Sequence, residues 1–248
     1  MVYVENSCGK AFYIFWRSRH CPPAYKSHWG PKQLRRFGPI PLAGAGNRTM
    51  AATTSMTTMP SIPPITRQRR QAILRESAGY IELGELLVEV DRPIPQSAEK
   101  LLLRALGSLG TLPEPTRSSG HVKHLEGEAL RALGRWHEAL EPLSLAAEKN
   151  PQQLEAWLGL GWCLKRLGRL NEAIGTLQKG LVAAPRQPIL HYNLACYLSL
   201  AGSVQPAVEH LTQAISIDGR FRDLTHVEPD FDPIRSDPRF VAVTHVTV

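Results

Sequence analysis

Small and apolar residues return at an interval of thirty-four positions through the second half of this 248-residue chain. Leu130, Leu164 and Leu198 form one column, Gly134, Gly168 and Gly202 a second, Ala139, Ala173 and Ala207 a third, and Leu143, Leu177 and Leu211 a fourth. Softer columns run beside them: Gly127, Gly161, Ala195; Trp136, Leu170, Val204; Ala146, Gly180, Ala214; Pro151, Pro185, Gly219. A period of this length predicts stacked helical hairpins and hence an all-α fold. The pairs fall near 121–133 with 136–148, 154–167 with 170–183, and 188–201 with 204–216. Glycine at each hairpin suits a tight helix-to-helix turn, because it accepts backbone angles that a β-carbon resists. The Gly and Ala columns let paired backbones approach, and the Leu columns fill the space between hairpins. Asn150-Pro151 and Ala184-Pro185 end second helices, since proline disfavours helical geometry in the residue before it. A single hairpin leaves an apolar face bare, and stacking covers it.

Upstream the pattern is looser. Thr66 is placed to cap a helix from Arg67 to Val90, with Tyr80, Ile81, Leu83, Leu87 and Val88 at three- and four-residue steps. Asp91-Arg92-Pro93-Ile94-Pro95 breaks it. Ser97 is the expected cap of the next helix, which carries Ala98, Leu101, Leu102, Ala105 and Leu106. Tyr80, Leu83, Gly84 and Leu87, followed by Ala98, Leu102 and Ala105, echo the downstream columns, so residues 67–120 read as a degenerate hairpin and an exposed linker rich in Gly, Pro, Ser and Thr.

Charge divides the chain. The formal net charge is +7, but residues 1–49 hold eight Lys or Arg against Glu5 alone, and residues 50–70 add three Arg with no acid. The remaining 18 basic and 21 acidic residues leave 71–248 slightly acidic, so the overall charge does not mark the array as a nucleic-acid binder. Residues 1–49 also hold eight of the seventeen aromatics without helical or strand periodicity, and 50–66 reads as a tether. Three readings compete for 1–66: a disordered basic tail, an organelle-targeting peptide, or upstream sequence joined to the gene with true initiation at Met50, Met56 or Met59. The composition favours the third. Cys8, Cys21, His20 and His28 fit no common zinc spacing. Cys163 and Cys196 fall in array helices as small apolar residues, so a reducing cytoplasm is the expected compartment. No apolar run approaches the ~18 residues of a membrane span.

The columns Trp157, Leu160, Gly161, Leu164, Ala173, Leu177, Gly180 and Pro185 resemble the tetratricopeptide repeat signature. The resemblance is strong over 121–219, three repeats, and weak over 71–106. The flanking repeats depart from it at Glu126, where a large apolar residue is usual, and at Lys123 and His191, which replace the aromatic seen at Trp157. Residues 220–248 resemble the end-of-array cap of bacterial tetratricopeptide proteins, through Tyr192-Asn193-Leu194-Ala195-Cys196 and the run from Asp230 to Phe240. Phe221, Leu224, Phe231, Ile234 and Phe240 are the expected cover for the last apolar face, with Asp230, Asp232, Arg235, Asp237 and Arg239 facing water. Asp230 or Asp232 is the expected cap of a short helix beginning at Pro233. A calcium loop is disfavoured there, because its glycine and terminal Glu are missing.

The resemblance implies a non-catalytic adaptor that holds a partner segment in a concave groove lined by the first helix of each hairpin. The groove positions it implies are His124, Glu128, Arg131, Leu158, Trp162, Lys165, Arg166, Tyr192 and Cys196. Trp162, Leu158 and Tyr192 would anchor apolar groups, and Lys165, Arg166 and Arg131 would meet an acidic or C-terminal group. Trp162 has a second reading, as packing against the neighbouring hairpin. Some members clamp chaperone tails with Lys, Asn and Arg on consecutive repeats; here Glu128, Trp162 and Cys196 stand at or near the asparagine columns, which disfavours that ligand. His121, His124 and Glu128 share a helical face but read as a solvated surface rather than a metal site. No phosphate loop, serine elbow or catalytic carboxylate pair is present, and no cofactor or small-molecule substrate is implied. The rival function is nucleic-acid or membrane-surface binding through the basic N-terminal segment, a weaker reading because that segment contains no recognisable module.

Overall fold

Four helical hairpins follow one another along the chain. The computed structural model describes residues 65–89 and 92–245. In them α1 (Arg67–Leu87) pairs with α2 (Gln96–Gly110), and α3 (Gly120–Ala132) pairs with α4 (Trp136–Lys149). Likewise α5 (Leu154–Arg166) pairs with α6 (Leu170–Ala183), and α7 (Pro188–Leu200) with α8 (Val204–Ile217). A short α9 (Arg220–Leu224), a 3-10 turn (Pro229–Ile234) and α10 (Pro238–Thr244) follow. No strand occurs among the described residues. Each second helix packs on the first helix of the next hairpin, and the first helices α1, α3, α5 and α7 touch one another in turn. This is the all-α hairpin solenoid that the thirty-four-residue period predicts.

The hairpin glycines close their turns by one repeated mechanism. Gly134, Gly168 and Gly202 have φ of 70°, 73° and 70°, in the left-handed region that side chains resist. The amide of Gly134 donates to Arg131 O, and that of Arg135 to Leu130 O at 2.9 Å. Gly168 and Arg169 repeat the pair on Lys165 and Leu164, and Gly202 and Ser203 on Ser199 and Leu198. Two carbonyls left over at each helix end are thereby satisfied, and the chain reverses within three residues.

Small residues then let the helices close. A β-carbon at Gly127 would lie 2.5 Å from Leu143 Cγ, and one at Gly161 3.2 Å from Leu177 Cδ2. Ala139, Ala173 and Ala207 are fully buried, as are Leu143, Leu177 and Leu211. Asn150 and Ala184 end α4 and α6 in non-helical geometry, with φ of −139° and −138°, before Pro151 and Pro185.

The degenerate hairpin departs from expectation in detail. Thr66 Oγ1 does accept from the Arg69 amide at 3.2 Å. The helix ends at Leu87 rather than Val90, and its buried side is Ile73, Ser77, Ile81 and Gly84. Leu83 and Leu87 lie on the exposed side instead, beside Leu86. The second helix starts one residue before Ser97, which caps nothing; Pro95 holds the cap position with its fixed φ of −60°. That helix runs on through Gly107 to Gly110, and Leu112 of the connection is buried in the local core.

The C-terminal segment covers the last hairpin, with α9 and α10 on α8 and the 3-10 turn on α7. Phe221, Phe231, Ile234 and Phe240 are buried, and Leu224 is half-buried. The caps differ from expectation: Glu228 accepts from the Asp230 amide at 3.2 Å, and Asp237 accepts from the Arg239 amide at 2.9 Å to start α10. Asp230 itself is buried rather than facing water.

Two substitutions test this packing. Ala173→Glu places a charge in a fully buried site between tightly packed helices and should cost about 4 kcal/mol or more, abolishing cooperative unfolding in urea. Gly168→Ala should cost about 1–2 kcal/mol through its left-handed backbone alone, with helicity by circular dichroism intact.

Candidate partner-binding face

On the first helices, columns placed thirty-four residues apart meet side by side. The residue after each packing glycine is Glu128 on α3, Trp162 on α5, and Cys196 follows Ala195 on α7. Glu85 follows Gly84 on α1 and extends the column by one hairpin. Glu85 and Glu128 converge on one guanidinium. Arg131 Nη2 lies 2.5 Å from Glu85 Oε1 and 2.9 Å from Glu128 Oε2, and Arg131 Nε donates to Glu128 Oε2 at 3.2 Å. All three side chains are at most 9% exposed. Gly159 makes room for this knot, since a β-carbon there would lie 2.6 Å from Glu128 Oε1. Exposure was the sequence expectation for Glu128 and Arg131. Both are instead buried between α1, α3 and α5, because opposite charges on adjacent first helices neutralise one another.

Trp162 sits in the middle of the face, half-buried. Its ring meets the edge of Trp136 at 5.9 Å with the planes at 86°. Arg131 Cζ lies 5.5 Å and Arg166 Cζ 5.7 Å from the Trp162 ring, while Arg166 Cζ lies 4.6 Å from the Trp136 ring. The indole therefore packs against the turn of the preceding hairpin and still presents part of its surface. The packing reading of this residue holds, and part of the ring stays exposed. Leu158, one turn earlier, and His124, in the corresponding place on α3, are half-buried beside it, as is Arg166.

Toward the C-terminal end the same face is covered from within. Tyr192, expected as an open anchor, is 0% exposed, with Phe221 at 5.1 Å and Phe231 at 5.5 Å. Cys196 is also buried, so neither residue meets solvent. Lys165 pairs with Asp230 of the 3-10 turn and lies 5.5 Å from the Tyr197 ring. The third-repeat part of the predicted groove is thus taken by residues 228–234 of the chain itself. The accessible remainder is His124, Leu158, Trp162 and Arg166.

Burial pushes the Cys163 thiol up to about 12, so it stays protonated at neutral pH. Asp232 pairs with Arg235 and Asp237 with Arg239. No group of three or more His, Cys, Asp or Glu side chains is arranged to hold a metal among the described residues. Nor is any described helix long and apolar enough to cross a membrane. Cys8, Cys21, His20, His28 and the basic segment with its proposed start sites lie outside the described residues.

Sequence reasoning missed Glu85, Trp136, Gly159 and Asp230. Glu85 was legible, since it follows Gly84 as Glu128 follows Gly127. Asp230 was not, because its partner is sixty-five positions away and outside the repeat register. The charge knot carries a prediction. Arg131→Met removes the guanidinium between two buried carboxylates and should cost about 3–5 kcal/mol in urea denaturation at pH 7.

The sequence model of the tetratricopeptide repeat matches residues 124–188. Over 104 residues the chain is 35% identical to Protein O-mannosyl-transferase Tmtc1 of Drosophila melanogaster, an alignment that covers 42% of this chain and 12% of that protein. Among solved structures, MamA is similar at a TM-score of 0.48 and 16% identity, covering 63% of this chain and 92% of that one. MamA 41-end from Desulfovibrio magneticus RS-1 gives 0.46 and 15%, covering 68% and 93%. YrrB, described as a TPR protein with an unusual peptide-binding site, gives 0.45 and 23%, covering 61% and 73%. The regular period, the three left-handed glycine turns and the match over 124–188 lead to one assignment: this array carries tetratricopeptide repeats.

Proposed function

We propose that this chain is an adaptor that seats a segment of a partner protein on the first-helix face of α3 and α5. Tetratricopeptide arrays are protein-interaction scaffolds in general; the particular face is our inference. The observation that carries it is the half-exposed Trp162, steadied by Trp136, Arg131 and Arg166. A large aromatic held in one orientation loses little entropy on binding, which is why such residues dominate interface energetics.

The chemistry of the face defines what it would receive. Leu158 and Trp162 offer apolar surface, and Arg166 offers a cation already stacked on two indoles. A partner segment with a large apolar side chain next to a carboxylate fits both. The chain's own turn supplies an internal example, as Asp230 meets Lys165 while the adjacent Phe231 packs on Tyr192. In this reading the face is bounded at one end by the Glu85–Arg131–Glu128 knot and at the other by that turn. Tyr192 and Cys196 take no part in it, and Lys165 serves the turn.

Capture experiments with the full chain and with Trp162→Ala as baits test the assignment. A partner held by the native chain should bind the variant about thirtyfold more weakly, the effect of about 2 kcal/mol expected at an interface hot spot. Circular dichroism should show the helices unchanged. Equal affinity of both baits for every captured protein would overturn the assignment of this face.

A further inference from the structure

We propose that the outer face of α1 is a self-association surface, on which α1 of a second copy of this chain lies antiparallel about a two-fold axis. Leu83, Leu86 and Leu87 stand exposed there, at 53%, 76% and 44%. Single exposed leucines are ordinary, but three within five residues of one helix make a patch.

The repeat identifies what this patch is. A β-carbon at Gly84 would lie 2.8 Å from Leu102 Cγ, as one at Gly127 would lie 2.5 Å from Leu143 Cγ, so Gly84 holds the place of Gly127 and Gly161. Counted from that glycine, Leu83, Leu86 and Leu87 correspond to Leu160, Cys163 and Leu164 on α5 and to Leu194, Tyr197 and Leu198 on α7. All six of these are at most 8% exposed. A hairpin stands before α5 and before α7, whereas no described hairpin precedes α1. The three leucines therefore belong to the flank by which a hairpin stacks on the one before it.

Charge decides the occupant. Arg67, Arg69, Arg70 and Arg75 hold the first half of α1 with no acid, and Glu76, Glu82 and Glu85 hold the second half with no cation. This order opposes the helix dipole, which favours anions at the N-terminal end and cations at the C-terminal end. A second α1 laid antiparallel meets each half with its opposite, while a parallel one would set like on like. Ala72, Gly79, Leu83 and Leu86 follow at helical steps along the outer side. With Leu83 against Ala72 of the second copy, the same register sets Leu86 on the aliphatic stem of Arg69 and Arg75 beside Glu82. Each contact is made twice by symmetry. Gly79 lies near the middle of this pairing, and a β-carbon there would meet nothing within 4 Å in the chain itself. Its own hairpin thus gives no reason for a residue unfavourable inside a helix; close approach of a second helix does. Glu76, on the same side, is held by Tyr80 Oη, which donates to it at 2.7 Å, and by Arg104 at 3.8 Å.

The far end of the array explains why association stops at two. Phe221, Phe231, Ile234 and Phe240 are buried in the C-terminal cover, so copies cannot extend head to tail. Two identical α1 faces close on each other instead, the isologous arrangement of a dimer.

Sedimentation equilibrium of the full chain should show monomer and dimer in proportions that shift with concentration. Leu86→Glu alters a side chain 76% exposed in the single chain, so circular dichroism should be unchanged while the dimer weakens about tenfold or more. Arg75→Glu should weaken it by a similar factor. Adding Glu82→Arg to Arg75→Glu should restore it, as a loss of fold would not allow. A monomer at every concentration, the result expected where a different occupant takes the face, would overturn the surface. So would a dimer insensitive to Leu86→Glu, or a double variant no tighter than Arg75→Glu alone. Neither Trp162 nor Arg166 is involved, so the outcome is independent of partner capture.

Discussion

Where α3 meets α4, the backbone at Gly127 comes so near Leu143 that a single methyl group would not fit between them. Gly161 and Leu177 repeat the approach in the next hairpin at slightly greater clearance. Each hairpin is therefore a fixed wedge, its two helices held together by a missing side chain on one and a leucine on the other. The glycine turn supplies the second half of the constraint, because only a left-handed residue reverses the chain quickly enough to bring the columns into register. With both satisfied, one hairpin presents the same apolar flank as the last, and stacking follows from covering it. The first helices then lie side by side, and every property of the candidate face derives from that adjacency.

Adjacency has different consequences along the stack. At the N-terminal end it brings Glu85, Arg131 and Glu128 into one buried knot that ties three helices. In the middle it sets Trp162 between arginines and against Trp136, leaving aromatic surface in reach of solvent. At the C-terminal end the column continues into the buried Cys196, one turn after Tyr192, over which Phe221 and Phe231 close. Neighbouring positions of one column thus hold a salt-bridge knot, a half-buried indole and a core thiol. Column membership alone does not decide which.

That limit explains what the sequence could and could not reveal. The hairpin limits, the left-handed glycines and the buried Ala and Leu columns were legible because they depend on residues within one repeat or its neighbour. Burial of Tyr192 and Cys196 was not, since it depends on a segment outside the repeat folding back over α7. The same holds for Lys165, which has the spacing of a ligand contact and is spoken for by Asp230. The degenerate hairpin was half legible: Gly84 kept its column, while Leu83 and Leu87 followed the helical step yet turned outward. In that hairpin apolar spacing identified a helix without identifying its inner side.

The link between Asp230 and Lys165 bears on how the array comes apart. Modules in a linear stack are held only by their immediate neighbours, so an end module can peel away while the rest stays folded. Asp230 belongs to the terminal cover yet grips α5, passing over the whole of α7 and α8 in sequence. Releasing the terminal cover therefore breaks a contact with the α5–α6 hairpin, the one beyond its immediate neighbour α7–α8. Coupling of that reach lengthens the cooperative unit from a single module to at least two, and the C-terminal end of the stack resists fraying for that reason.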